Sequence, residues 1–384
     1  MTARRLRSIT PFHVMALLAR ARQLEDAGRS IVHMEIGEPD FVTPAPVVEA
    51  GIAALQAGHT HYTPALGLPA LRAAIADDYR QRFGVEVSPE RIVVTPGASG
   101  ALQLLTALLV DPGSQVLMTD PGYPCNRNFV RLFDGEPLAI PVSAAQGYQL
   151  DAGLLRTHWT SRTVAALIAS PSNPTGTVLP RQAMVELLEA VRERGGHLVV
   201  DEIYQNLYYA DKPCTALALG DDVFVINSFS KYFGMTGWRL GWLVAPQAFI
   251  EPLDTLAQNL FLAAPTPAQH AALAAFEPGT QMILEQRREA FRQRRDYLLP
   301  ALRALGFVIH REPEGAFYLY ADCSRFTDDS FAFAHELLET AGVAITPGID
   351  FGRNEAARHV RFAYTTSLDQ LQLGVQRLAE FLQC

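Results

Sequence analysis

From about residue 91 onward, the sequence alternates short, β-branched apolar runs with segments of helical periodicity. Strands that are buried on both faces need continuous apolar runs, and such strands joined by helices form a mostly parallel sheet. The alternation predicts an α/β fold whose large domain holds a mostly parallel seven-stranded sheet flanked by helices. The predicted strands are Ile92–Thr95, Val116–Thr119, Leu138–Val142, Val164–Ala169, Leu198–Val200, Val223–Ile226 and Leu240–Val244.

The pattern changes after about residue 285. A charged helical segment at 285–297 precedes shorter strand-like pieces around 315–321 and 359–364, and a final helix begins near Leu368. This order is typical of a smaller α+β domain. We therefore expect three parts: an N-terminal segment at 1–40 that packs with the small domain, a large domain at 41–285 and a small C-terminal domain at 286–384.

Basic residues near the N-terminus precede a short apolar stretch at 14–19, a pattern that resembles a targeting peptide. The stretch is short for a signal sequence, and the acidic residues that follow are unusual in a transit peptide. Val14, Leu17, Leu18, Ala21 and Leu24 follow helical spacing. The pattern favours an N-terminal helix of the folded protein.

The composition excludes several classes of function. The 384 residues are 49% hydrophobic and carry a net charge of −8, without a basic block that could follow a nucleic-acid backbone. No apolar run approaches the roughly 18 residues that a membrane helix needs. Neither a disulfide framework nor a metal site is predicted, because no histidine has metal-ligand spacing and the four cysteines are far apart: Cys125, Cys214, Cys323 and Cys384. We expect a cytoplasmic protein without nucleic-acid or membrane partners.

Unusual residues follow the ends of the predicted strands. Lys231 lies in N-S-F-S-K-Y-F-G-M-T-G-W-R-L-G-W, directly after an apolar run. The same segment contains Ser228, Ser230 and Arg239. A Gly-rich turn at 97–100 precedes a predicted helix, and the free N–H groups of a helix N-terminus bind anions such as phosphate. Taken singly, these are ordinary turn residues and a surface lysine.

The same edge of the sheet carries further polar and aromatic residues, and ligands bind at this edge in open α/β sheets. Tyr123 follows the second predicted strand, and Asn173 follows the fourth in S-P-S-N-P-T-G. The fifth strand runs into D-E-I-Y, which contains Asp201 and Tyr204. Each residue alone has an ordinary explanation as a core tyrosine, a turn residue or a helix cap.

Together these residues describe one kind of pocket. An anion site, an aromatic ring, an amide, a buried carboxylate, a phenol and a lone lysine suit a planar, phosphorylated heteroaromatic aldehyde. Pyridoxal 5′-phosphate has that chemistry, and enzymes hold it through a lysine and a partner for its ring nitrogen. The sequence therefore predicts a pyridoxal-phosphate site at the carboxyl edge of the sheet.

Seven segments, spread over nearly the whole chain, carry a family resemblance: I-G-E-P-D-F, H-Y-T-P-A-L-G, S-P-S-N-P-T-G, D-E-I-Y, S-F-S-K-Y-F-G-M-T-G-W-R-L-G, P-E-G-A-F-Y and V-R-F-A-Y-T-T-S. In order and spacing they resemble the signature segments of class I/II pyridoxal-phosphate-dependent aminotransferases of fold type I, the aspartate aminotransferase superfamily. The match specifies the family better than the substrate.

The resemblance implies a role for each residue around the cofactor ring. Lys231 would bind the cofactor as a Schiff base and, once released, would move the proton between the substrate Cα and the cofactor. Asp201 would keep the pyridine nitrogen protonated. Asn173 and Tyr204 would hydrogen-bond the phenolate oxygen, and Tyr123 would stack on the ring. The expected catalytic residues are Lys231, Asp201 and Tyr204.

The resemblance also implies how the cofactor phosphate is held. The phosphate would lie at the helix N-terminus formed by Ala98 and Ser99. Three further side chains would complete its shell: Ser228, Ser230 and Arg239.

Substrate binding and assembly follow from the same resemblance. Arg361 would hold the substrate α-carboxylate as a bidentate fork, assisted by Gly37 and Asn173. The ordinary alternative for Arg361 is a surface arginine. Tyr62 would reach the phosphate of the partner subunit, which predicts a homodimer with shared active sites.

The resulting prediction is a transaminase that works by a ping-pong cycle. An L-amino acid would leave as a 2-oxo acid, and a second 2-oxo acid, with 2-oxoglutarate expected, would take up the amine. The alternative is a C–S β-lyase or another pyridoxal-phosphate lyase of the same fold, although related lyases tend to carry a histidine at the position of Ser172. A cofactor-binding regulator would need a DNA-binding domain, and the residues before Ile31 are too few for one.

The sequence leaves the substrate side chain open. A dicarboxylate needs a cation at the far end of its pocket, and Arg127 is the candidate. Cys125, two positions beyond Tyr123, is best explained as a small buried thiol. An apolar pocket is the other possibility, with four candidates: Phe12, Phe129, Phe233 and Phe261.

Overall fold

The computed structural model describes residues 2–9, 11–210 and 214–383. Its strands are β1 (Val32–His33), β2 (Ile92–Thr95), β3 (Gln115–Asp120), β4 (Glu136–Pro141), β5 (Thr163–Ala169), β6 (His197–Asp201), β7 (Phe224–Ser228), β8 (Gly241–Val244), β9 (Tyr318–Asp322), β10 (Val343–Ala344), β11 (Thr346–Pro347) and β12 (His359–Ala363). Seven of them form one sheet in the order β2-β8-β7-β6-β5-β3-β4. Only β8 is antiparallel to its neighbours, so the carboxyl ends of the other strands meet at one edge.

Helices cover both faces of this sheet. They are α1 (His13–Asp26), α2 (Ala45–Gln56), α3 (Pro69–Phe83), α4 (Gly97–Leu109), α5 (Pro124–Leu132), α6 (Ala152–His158), α7 (Arg181–Glu193), α8 (Ile250–Leu260), α9 (Thr266–Leu273), α10 (Pro278–Ala304), α11 (Ser330–Glu336) and α12 (Leu368–Leu382). Successive strand residues point to opposite faces. Leu117 of β3 therefore packs in one core with Leu187 of α7, while Val116 and Met118 pack in the other with Leu104 of α4. This double burial is the reason for the continuous apolar runs.

All seven predicted strands are present, and the predicted fold class is confirmed. Strand β7 continues to Ser228 instead of ending at Ile226. Asn227 and Ser228 extend the strand because they pair with Trp242 and Gly241 of β8. Long-range pairing of this kind is not visible in a local apolar pattern.

The N-terminal segment packs against the C-terminal part of the chain. Val32 of β1 pairs in parallel with Val343 of β10. Helix α1 confirms the predicted N-terminal helix, and Leu17, Ala21 and Leu24 are its buried residues. The helical spacing of these residues is therefore explained by packing.

A three-stranded antiparallel sheet, β11-β12-β9, forms a second layer in the C-terminal part. The 27-residue helix α10 runs through the predicted domain limit at residue 285. The limits of the three predicted parts stay predictions.

No helix in the described residues is long and apolar enough to cross a membrane. The described cysteines are free thiols: Cys125, Cys214 and Cys323. Cys384 lies outside the described residues.

Candidate active site

A cavity of about 680 Å³ opens at the carboxyl edge of the seven-stranded sheet. Its wall combines residues of this sheet with residues of the three-stranded sheet. All predicted site residues except Tyr62 line it. They are Gly37, Ala98, Ser99, Tyr123, Asn173, Asp201, Tyr204, Ser228, Ser230, Lys231, Arg239 and Arg361.

Lys231 follows β7, and its amine extends into the cavity. The Nζ atom donates a hydrogen bond to the carbonyl oxygen of Gly37 at 2.8 Å. Burial lowers the pKa of Lys231 to about 8; Glu38 opposes this effect, and the positive charges of Arg361 and Arg239 reinforce it. A larger fraction of the amine is therefore neutral near pH 7, as a nucleophile or a general base requires.

Asp201 ends β6, and its side chain is buried in the cavity wall. Oδ1 accepts a hydrogen bond from the backbone N–H of Ile203 at 3.2 Å. Burial raises the pKa of Asp201 to about 6, although that N–H and the charge of Lys231 oppose the shift. Within the described part of the chain, no cation forms an ion pair with this carboxylate. The protonated ring nitrogen of pyridoxal phosphate is the kind of partner that such a group requires.

A second set of residues forms a cradle for an anion at the N-terminus of α4. Helix α4 begins at Gly97 and includes the residues 97–100 that were predicted as a turn, so that Ala98 and Ser99 belong to its first turn. The first N–H groups of a helix have no intrahelical acceptor and attract anions. A Cβ on Gly97 would lie 2.6 Å from Nη2 of Arg239, so the guanidinium lies directly over this turn.

Two serines complete the cradle. Ser228 Oγ accepts a hydrogen bond from the backbone N–H of Ser230 at 3.0 Å. Both serines are buried and line the cavity beside Arg239. This donor set fits a phosphate with two negative charges.

Arg361 lies in β12, and only 5% of its surface is exposed, which excludes a surface arginine. Nη1 donates to Oδ1 of Asn173 at 2.9 Å. Nη2 donates to the carbonyl oxygen of Glu35 at 2.5 Å and to Oγ1 of Thr346 at 3.1 Å. The buried Nε has no hydrogen-bond partner. The guanidinium is therefore fixed and retains a donor for a carboxylate.

Tyr318 was not identified from the sequence as a site residue. Its hydroxyl lies 2.8 Å from that of Tyr204, and its ring centroid lies 4.2 Å from Cζ of Arg361. A Cβ on Gly37 would collide with the Tyr318 hydroxyl, which explains the glycine at that position. The segment P-E-G-A-F-Y, which ends at Tyr318, was the available signal.

Of the residues predicted to contact the substrate side chain, only some line the cavity. Arg127 does not line the cavity, because its Nη2 donates to the carbonyl oxygen of Asp350 at 2.6 Å. Phe12 lines the cavity. The expectation is wrong for the other three phenylalanines, because none of them lines the cavity. Phe233 is buried in one core, whereas Phe129 and Phe261 are partly buried and pack against the other.

Tyr62 lies outside the cavity of its own chain and is 81% exposed. Thr266, which starts helix α9, donates to the carbonyl oxygen of His61, the residue before Tyr62. The segment is thus fixed to the protein while the phenol faces outward. Its predicted contact with a phosphate requires a second chain.

Comparisons with known proteins show the family of the chain. The family model for aminotransferase class I and II matches residues 29–378. A (5-formylfuran-3-yl)methyl phosphate transaminase of Methanocaldococcus jannaschii is 36% identical and aligns over 100% of both chains. A valine–pyruvate aminotransferase of Mycobacterium tuberculosis is 36% identical over 97% of each chain. The solved structure of the Thermus thermophilus aspartate aminotransferase with maleate has a TM-score of 0.93 and 36% identity, with 99% of each chain covered. The chain belongs to the class I and II aminotransferase family, and it is a transaminase.

Proposed function

We propose that the cavity binds pyridoxal 5′-phosphate and that the protein moves the amino group of an L-amino acid to a 2-oxo acid by a ping-pong mechanism. One observation carries the proposal. Lys231, with a pKa near 8, shares a cavity with the buried carboxylate of Asp201, which forms no ion pair with any residue of the described chain. Membership of the family implies the same cofactor.

In this proposal, each residue of the site has a separate role in the reaction. When bound, pyridoxal phosphate supplies the electron sink that makes the substrate Cα–H acidic. Lys231 Nζ accepts the proton from Cα and later returns a proton. Asp201 holds the proton on the ring nitrogen. Arg361 binds the substrate α-carboxylate, and Asn173 orients the guanidinium through its Oδ1 atom.

A lyase on the same fold would eliminate part of the substrate side chain instead of transferring the amine. Related lyases tend to carry a histidine at the position of Ser172. Ser172 is buried and does not line the cavity. The absence of an acid–base group at this position supports amine transfer.

The test is a panel of L-amino acids offered as donors to 2-oxoglutarate and, in parallel, to pyruvate. Transfer produces glutamate or alanine, whereas elimination releases ammonia, so both products are measured. Lys231→Ala is the control and should form neither. An enzyme that releases ammonia but transfers no amine to either acceptor would contradict the proposal.

We also propose a homodimer with shared active sites. Helix α2 exposes Val48, Ile52 and Leu55, which lie on one side of the helix at positions i, i+4 and i+7. Val42 and Tyr62 are exposed nearby in the sequence. Apolar surface of this kind is typical of an interface, and a second copy would also give the Tyr62 hydroxyl a partner.

Subunit mixing tests the shared site. Lys231→Ala and Tyr62→Ala chains, each inactive or severely impaired alone, should recover activity when their subunits exchange. One of the two pockets in the hybrid then contains an intact lysine and an intact tyrosine. A verified hybrid without recovered activity would show that Tyr62 does not serve the partner.

A further inference from the structure

Asp350 supplies a cap to a helix that has none of its own. Its carboxylate accepts hydrogen bonds from the backbone N–H groups of His13 and Val14, both at 2.9 Å. These residues begin helix α1, and the side chain of the preceding residue, Phe12, makes no capping bond. Asp350 is only 4% exposed. A buried carboxylate at the positive end of a helix fixes that end firmly.

The capped turn forms part of the cavity wall. Phe12, Val14 and Met15 all line the cavity. The ring centroid of Phe12 lies 6.5 Å from that of Tyr123, the residue predicted to stack on the cofactor. The Asp350 cap therefore determines where an apolar surface lies relative to the reacting groups.

The chain around Asp350 is also connected to the rest of the site. The backbone N–H of Gly122 donates to the carbonyl oxygen of Phe351 at 2.9 Å, and Arg127 donates to that of Asp350. The ring centroid of Phe351 lies 4.9 Å from Cζ of Arg361. One short turn thus supports both the carboxylate-binding arginine and the first turn of α1.

The charges of the cavity restrict what this wall can bind. Among the described residues that line the cavity, the lysines and arginines are Lys231, Arg239 and Arg361. Each of them has a role at the cofactor or at the α-carboxylate. The acidic residues of the wall are Glu35, Glu38, Asp201 and Asp350. Among the described residues of one chain, a second carboxylate on the substrate would have no cation left to pair with, and an unpaired charge in a partly buried site is costly.

We propose that the first turn of α1, held by Asp350, selects the side chain of the amino donor, and that it selects an uncharged, apolar side chain. The inference rests on the proposed function of the same cavity. Apolar side chains gain by leaving water against Phe12, Val14 and Met15. Asp350 acts as a positioning residue, since both of its carboxylate oxygens accept hydrogen bonds from the backbone N–H groups that begin α1.

The first experiment compares kcat/KM for three amino donors: leucine, alanine and aspartate. Leucine and aspartate are tested with pyruvate or 2-oxoglutarate as the acceptor, and alanine is tested with 2-oxoglutarate only. Wild-type kcat/KM should be at least about tenfold higher for leucine than for aspartate, within the usual range of side-chain discrimination. In Asp350→Ala, kcat/KM for leucine should fall about 10- to 100-fold, mainly through KM, whereas the value for alanine should change less than about threefold, because its methyl group makes few contacts with the wall.

Asp151→Ala is the matched control. Asp151 caps helix α6 by accepting from the backbone N–H of Leu154 at 2.8 Å, and it does not line the cavity. This variant also loses an aspartate cap, yet the leucine-to-alanine ratio should stay at the wild-type value.

Hydrogen exchange gives a readout that does not depend on turnover. Without its cap, the first turn of α1 should open more often. Peptides that contain His13 to Leu17 should exchange faster in Asp350→Ala than in the wild type, with or without added cofactor, and should be unchanged in Asp151→Ala. An unchanged exchange rate in Asp350→Ala would overturn the role of the cap.

Two kinetic results would overturn the selectivity. One is a wild-type preference for aspartate over leucine, and the other is an equal loss for leucine and alanine in Asp350→Ala. If Asp350→Ala does not fold, Phe12→Ala leaves the cap in place and should still lower leucine turnover selectively; equal losses there would also refute the proposal. A wild type that transfers no amine contradicts the proposed function itself, which separates the two failures.

Discussion

Gly97 offers a sharp test of the anion cradle. It begins helix α4 with a φ of +70°, and an added Cβ would lie 2.6 Å from Nη2 of Arg239. In Gly97→Ala, the left-handed backbone costs about 1–2 kcal/mol of the free energy of unfolding. The guanidinium must also move from its place over the turn. Loss of one hydrogen bond between the guanidinium and the phosphate weakens the free energy of cofactor binding by about 1.5–3 kcal/mol. The Kd for the cofactor should therefore rise about 10- to 150-fold.

Gly84→Ala provides the control for backbone strain. Gly84 ends helix α3 with a φ of +69°, and no atom lies within 4 Å of an added Cβ. Urea unfolding of the apoproteins should show a similar loss of stability in both variants. Absorbance titration of the apoproteins with pyridoxal phosphate should show weaker binding in Gly97→Ala alone. Equal Kd values for the two variants would refute the cradle.

Three further predictions concern other groups. Lys231→Ala should fold but give no borohydride-fixed cofactor adduct, and a labelled peptide with a different lysine would contradict the assignment. Asp201→Ala should lower kcat about 10³-fold, or about 4 kcal/mol of barrier, with a smaller change in the cofactor Kd; near-normal turnover would contradict this. Hydrogen bonding to Glu35 raises the pKa of His33 to about 9, above its usual 6.5, although burial opposes the shift. The stability lost in His33→Gln, measured by urea unfolding, should therefore be largest below pH 6.5 and should vanish as the pH rises through about 9; a constant difference would exclude the ion pair.

The cofactor side of the site was predictable because its residues directly follow predicted strands. Asn173, Asp201 and Lys231 come within a few positions of the ends of β5, β6 and β7, and parallel neighbours place those ends at one edge. Each short motif therefore predicted both the type of a site residue and its position at the edge of the sheet. The resemblance assigned roles to residues that the alternation had already brought together.

The substrate side was harder to predict because its geometry depends on pairings between distant parts of the chain. Arg361 enters the cavity through β12, which pairs with β9 and β11, and Thr346 of β11 fixes its guanidinium. Asp350 meets α1 across 337 sequence positions. No local pattern marks these contacts, so Thr346, Phe351 and Asp350 were missed. Arg127 lies close to Tyr123 in the sequence, but its hydrogen bond to Asp350 keeps it out of the cavity wall.

This division of the cavity has a consequence for specificity. The proposed cofactor groups lie at the edge of one sheet, whereas the proposed wall for the donor side chain is a helix turn that is fixed by a single carboxylate. Similar proteins at about 36% identity include a (5-formylfuran-3-yl)methyl phosphate transaminase, a valine–pyruvate aminotransferase and an aspartate/prephenate aminotransferase. Cofactor binding and recognition of the donor side chain are thus separate in this fold. Substitution of a few residues around the first turn of α1 can therefore change which amino donor is preferred, while the chemistry at the cofactor stays the same. Exchange of residues 12–15, with Asp350 retained, should therefore change the preferred donor while leaving the borohydride-fixed adduct on Lys231 intact.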